Sequence, residues 1–304
     1  MKNFGFKYYL WGPQFLTGLT ILFLLILHPQ VAQAAGRIAY SHLTDGYWQI
    51  WTMNTDGSDP KQSTFSKIDK RDPAWVERGK RIAFRTSNAQ FFILDLATGN
   101  EQRFLEKYGI VSNPSYSEKT NEVIFIRFDS RIADATDIWK VSLEGEDARL
   151  LTKDNYSKIQ PDLSADGGQI AFVRSDALKK FHQIWTMDSD GEKLRQITRG
   201  SWVYLQPQFS PDNTALTYTS DQDGNFNVYW LDLDQLDEKR LTDAPGLDAD
   251  SSFSPDGQTI VFVSNRGGNQ QIWKMGLDGS NLMQLTHGDN EAVDPDWVET
   301  GEGD

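Results

Sequence analysis

A short motif recurs six times in this sequence, and its last copy lacks the segments that follow the other five. The motif is a polar residue, usually Pro, any residue, then an aromatic or Leu. Its copies begin at Asp72 (DPAWV), Asn113 (NPSYS), Gln160 (QPDLS), Gln206 (QPQFS), Asp250 (DSSFS) and Asp294 (DPDWV). Three further apolar runs follow each of the first five copies. The segment from Arg37 to Thr64 has those three runs and no opening motif. The tail therefore supplies what the head is missing, which is how a closed ring of repeats is latched.

The opening positions are spaced by 41, 47, 46, 44 and 44 residues. Such a period, with several short strands per repeat, marks a β-propeller. The strands align in columns. An apolar trio comes second (Ile38-Ala39-Tyr40, Ile82-Ala83-Phe84, Ile170-Ala171-Phe172), and an aliphatic-aromatic pair third (Ile50-Trp51, Ile138-Trp139, Ile272-Trp273). A short fourth run often ends in Leu-Thr or Ile-Thr, as at Thr152, Thr198 and Thr286. Neighbouring residues of a strand point to opposite faces, so an apolar pair implies a sheet packed on both sides. Asp-Gly turns at Asp56-Gly57, Asp190-Gly191 and Asp278-Gly279 suit tight hairpins. The expectation is an all-β, six-bladed propeller of four-stranded blades. Its first blade is closed by an inner strand from the C-terminus.

Residues 1–34 read as an export signal. Lys2 and Lys7 precede an apolar run from Phe15 to Leu27, and Ala32-Gln33-Ala34 is a cleavage signal. Residues 35–304 form the propeller, starting directly after the leader. There are no cysteines, so no disulfide scaffold or thiol chemistry is available. The chain has 43 acidic and 30 basic residues, and losing Lys2 and Lys7 deepens the imbalance. Such a surface repels nucleic acid and anionic lipid. A monomer with no membrane span after cleavage is expected.

The pattern Pro-x-[aromatic]-Ser-Pro-Asp-Gly, Ile-Ala-Phe, Ile-Trp-x-Met and Asp-Gly…Leu-Thr resembles the repeat of TolB-like propellers. Residues 252–286 and 162–198 carry it most clearly. The resemblance covers nearly all of the mature chain. It implies a periplasmic protein of the Tol–Pal type, docking an envelope protein or peptide. It also implies a small α/β domain ahead of the propeller, for which this chain leaves no room.

In a four-stranded blade the connections from fourth strand to next first strand, and from second to third, share one face, here called the top. Loops on a rigid frame are where function concentrates. The top loops carry Tyr108, Tyr156, Trp202 and Tyr204 on consecutive blades, suited to a protein contact. The alternative is that they cap the core. In circular order the opening residues read Asp294, Asp72, Asn113, Gln160, Gln206 and Asp250, so the three acids fall on adjacent blades with the amides opposite. Acids converging on a channel mouth suit an incoming Lys or Arg, or a divalent cation such as calcium. The local alternative is that each accepts hydrogen bonds from its own turn. Asp221-Gln222-Asp223-Gly224 resembles the start of a calcium loop but lacks the distal Glu, so a hairpin is expected.

His42, His182 and His287 are too dispersed for a three-His metal site. No nucleophile elbow, Walker motif or dinucleotide fingerprint occurs. No cofactor and no catalytic residue is assigned. The reading is a non-catalytic binding scaffold. The enzymatic alternative is a carbohydrate lyase or hydrolase using carboxylates at the channel mouth.

Overall fold

The computed structural model describes residues 36–128, 136–175 and 181–300. The expected leader lies outside the described residues. Among the described residues no helix is long and apolar enough to cross a membrane.

Among the described residues twenty-four strands form six separate four-stranded antiparallel sheets, each running from an inner strand to a short outer one. Five blades are continuous in sequence, with inner strands Lys70–Val76, Val111–Ser117, Ser157–Leu163, Tyr204–Phe209 and Asp248–Phe253 (blades 2 to 6). Blade 1 is composite. Its inner strand Ala292–Glu299 pairs with Gly36–Thr44, in the register Gly36 to Glu299 and Ile38 to Trp297. The latch expected from the repeat count is therefore present.

Apolar pairs divide between blade interfaces as the strand period requires. Ile50 is buried in the cluster shared with blade 2, against Trp75, Ile82 and Phe84. Its neighbour Trp51 packs on the opposite cluster, shared with blade 6. Ile138 and Trp139, Ile184 and Trp185, and Ile272 and Trp273 divide in the same way. Six buried clusters result, each spanning one junction between adjacent blades. The ring therefore has no single central core; burial between blades holds it together.

The Asp-Gly turns also serve those junctions. Gly191 has φ +93°, and a Cβ there would stand 2.5 Å from the Leu151 carbonyl oxygen of the preceding blade. Only glycine tolerates both the backbone region and the approach.

Candidate binding face

The Thr that ends the fourth strand builds the top loops. In blade 1 the Ile50 N–H donates to Thr64 Oγ1 (2.9 Å), and the Thr64 hydroxyl donates to Gln49 Oε1 (2.9 Å). Gln49 Nε2 then donates to the Ser66 and Ile68 carbonyls of the loop leading to blade 2. Blades 4 and 6 repeat the arrangement with Thr198 and Gln183, and with Thr286 and Gln271. In blade 3 the Gln is replaced by Asp137, which accepts from Thr152 and from the buried Lys158 ammonium (3.1 Å). Blade 2 has Leu105 in place of the Thr. That residue adopts φ +63°, and a 3₁₀ turn, Glu106–Tyr108, follows.

Each inner strand carries a β-bulge at the opening residue of the motif. All six of these residues are left-handed, with φ between +49° and +54°: Asp72, Asn113, Gln160, Gln206, Asp250 and Asp294. Six non-glycine residues held there at one structural position mark a constrained site. All six line a central cavity of about 210 Å³.

Their hydrogen bonds run between blades. Gln160 Oε1 accepts from the Gln206 N–H (3.0 Å), Gln206 Oε1 from the Asp250 N–H (3.2 Å), and Asp294 Oδ2 from the Asp72 N–H (3.3 Å). The Asp294 N–H likewise donates to the Asp250 carboxyl. Side chains bonding within their own turns, the local alternative raised by the sequence, do not describe this relay.

A second tier lies two residues further along. Asp296 accepts from the Trp75 N–H of one neighbouring blade (2.7 Å) and from the Ser252 hydroxyl of the other (3.4 Å). Asp162 accepts from the Phe209 N–H (2.8 Å) and the Ser115 hydroxyl (3.0 Å) in the same manner. Burial pushes Asp162 up to about 7 and Asp296 up to about 6.

The three ring acids differ in their partners. Arg71 grips Asp294 with Nε and Nη2 (2.5 and 3.0 Å) while lying over the Trp48 ring. Burial pushes Asp294 upward, but the Arg71 hydrogen bonds and charge outweigh it and hold the carboxyl below the usual range. Asp72 bonds Arg85. Burial and the Asp294 charge still leave it raised. Asp250 bonds no side-chain cation among the described residues. Burial, then the Asp294 and Asp72 charges, push it well above the ordinary carboxyl range. Lys70, next to Arg71 in the chain, is buried beneath the loop, donating to Ser66 and to the Ile68 carbonyl.

The four candidate aromatics separate. Tyr156 and Trp202 are exposed. Tyr108 is half-buried against Phe125 and Trp139, and its oxygen accepts the Ala148 N–H. Tyr204 is a correction: it is buried against Tyr218, and its hydroxyl donates to the Arg199 carbonyl. It stands two residues before the ring position, where Lys70, Val111, Lys158, Asp248 and Ala292 are also buried. Aligning that column would have revealed it. Sequence reading missed Phe65, Ile68 and Ile110, which are exposed on the top loops. It also missed Arg85, Asp162 and Asp296. His42 is half-buried, its ring tilted against Trp51 and bonded to Thr44, while His287 is exposed. Among the described residues no three His, Asp or Glu side chains are grouped to hold a metal ion.

A family model described as the TolB beta propeller domain matches residues 22–204 and 201–303. The chain belongs to the TolB-type propeller family. The fold is shared with TolB from Acinetobacter baumannii at 23% identity and a TM-score of 0.74, over 86% of this chain and 66% of that one. This chain thus spans about two thirds of that TolB. A putative TolB from Agrobacterium tumefaciens matches at 18% identity and a TM-score of 0.70, over 88% of this chain and 99% of that one. An oligogalacturonate lyase in complex with manganese matches at 15% identity and a TM-score of 0.58, over 83% and 74%. No curated protein matches the chain in sequence.

Proposed function

We propose that this TolB-type propeller is an exported, non-catalytic scaffold that holds a protein or peptide of the cell envelope on its top face. A basic side chain of the partner enters the channel mouth toward Asp250, and apolar partner surface rests on Tyr156 and Trp202. Asp72, Asp294, Asn113, Gln160 and Gln206 complete the mouth; Tyr108 and Tyr204 support the loops from within. A Tol–Pal-like role is the form of this reading that family membership favours. Cleavage of residues 1–34 and a periplasmic monomer belong to the same proposal.

The observation that carries it is Asp250. Among the described residues it alone of the three ring carboxylates bonds no guanidinium, and the hydrogen bond it accepts comes from a backbone N–H. A Lys or Arg arriving there finds an acceptor that the Arg71 charge reaches but whose oxygens no guanidinium occupies among the described residues. Burial and the neighbouring acids favour the protonated form of this carboxyl and an arriving cation favours the ionised one, so affinity should rise with pH. The lyase or hydrolase alternative gains no comparable support. The raised carboxyls Asp162 and Asp296 are each tied by an inter-blade N–H and a serine hydroxyl.

The test is a crosslinking pull-down from envelope extract with residues 35–304, read by mass spectrometry. One envelope protein should be enriched, lost with Trp202→Ala and weakened with Asp250→Asn. The Asn carboxamide still accepts the Asp294 N–H, so folding is retained. Enrichment unaffected by Asp250→Asn would remove the channel from the model.

A further inference from the structure

The rim formed by the fourth-to-first loops is electrically divided. Four consecutive loops, from blade 1 to blade 5, each present one cation beside one exposed apolar side chain. The first two pairs are Lys67 with Phe65 and Lys107 with Ile110; Phe65 is 74% exposed and Ile110 58%. The next two are Lys153 with Tyr156 and Arg199 with Trp202. None of these four cations pairs with a carboxylate among the described residues. The acids in the same loops are already engaged. Asp154 is held by Lys158 and Arg174, Glu106 by Arg103, and Asp69 accepts the Trp48 N–H. The remaining two loops contain no Lys or Arg and present Asp243, Asp289 and Glu291.

We infer that the cationic half of the rim is a docking surface for an acidic protein segment studded with apolar side chains. The inference takes its choice of face from the reading above and is independent of the channel. Charge complementarity selects the occupant. In a chain with a net charge of −13, four cations without a carboxylate partner among the described residues, confined to one arc, are a local reversal of sign. The arc is also preorganised. Gln49 fixes the Ser66 and Ile68 carbonyls, and Gln183 those of Gly200 and Trp202. Binding therefore orders little backbone. An anionic bilayer is the less suitable occupant, because a flat surface would press on both halves together and be repelled by the acidic one. A segment can follow the arc alone.

Random peptides displayed on phage would be panned at low salt against three proteins: wild type, Lys67→Glu/Lys153→Glu/Arg199→Glu, and Asp250→Asn. The three arc side chains are exposed, so the triple variant keeps its fold, and circular dichroism checks this. Peptides mixing Asp or Glu with aromatic or aliphatic residues should be enriched on wild type and on Asp250→Asn, and lost on the triple variant. A synthesised winner should bind the triple variant at least about ten-fold more weakly. Absence of acidic enrichment on wild type overturns the inference. Survival of acidic peptides on the triple variant overturns it as well. So does flotation with phosphatidylglycerol vesicles when acidic peptides are not enriched, which would assign the arc to lipid. Basic peptides lost only with Asp250→Asn would support the channel reading while leaving the arc refuted if no acidic set appears.

Discussion

Replacing Asp162 by Asn should make this propeller more stable at high pH and nearly neutral in effect at low pH. The carboxyl is buried, with its ordinary value of 3.8 pushed up to about 7. A folded-state pKa raised above the unfolded one means that the native state holds the proton through the window between them. Stability is then greatest below the unfolded value and falls as pH rises toward the folded value. From about pH 5 to about pH 8 this single group removes roughly 3 kcal/mol. Asn does not titrate. Its oxygen still accepts the Phe209 N–H, and its amide donates to Ser115 Oγ, which has a lone pair left after accepting the Leu163 N–H. Urea denaturation of both proteins at the two pH values isolates the effect, because other titrations are shared and cancel. The advantage of the variant should grow by roughly 3 kcal/mol between them, most of it gained below pH 7. A difference that is the same at both pH values, or that moves against the variant at high pH, would refute the argument that burial raises this carboxyl.

Three further outcomes are expected. Arg71→Met strips Asp294 of its counter-ion, so stability at neutral pH should drop by about 2–4 kcal/mol and part of the loss should return on acidification, measured by urea denaturation. Thr286→Val leaves the Ile272 N–H and Gln271 Oε1 without their partner and should cost about 1–3 kcal/mol, with faster amide exchange in residues 285–291. Gly191→Ala forces a Cβ into the Leu151 carbonyl at an unfavourable φ. It should lower thermal stability by more than a surface Gly268→Ala control, where nothing lies within 4 Å.

Periodicity made the fold legible because the apolar columns are read by position alone. Ile50 and Trp51 needed only the two-residue strand repeat to be assigned to different interfaces. The channel was less legible. A residue before proline is ordinarily extended, so nothing local announces that Gln160 is left-handed or that its amide reaches the next blade. Asp162 and Asp296 occupy the variable position of the motif, where other blades have Ala74, Gln208 or a serine. Only ring closure brings each between an N–H and a hydroxyl from two neighbours. Tyr204 was misread because Gly200, Ser201 and Trp202 before it look like loop, whereas its side chain already belongs to the inner strand.

The composite blade sets a clock on biogenesis. Ile38 waits for Trp297, roughly 260 residues further along the chain. At ordinary synthesis rates the interval is about 10–50 s. During it the strand Gly36–Thr44 offers nine residues of unpaired backbone along its inner edge. Such an edge is an invitation to strand addition by any neighbouring chain. A nascent propeller of this design is therefore most vulnerable at its first-made strand, and a holdase or isolation until the final strand arrives would protect it. Once Ala292–Glu299 zips in, the same residues become the seam of a ring in which every inner strand is paired with the second strand of its blade.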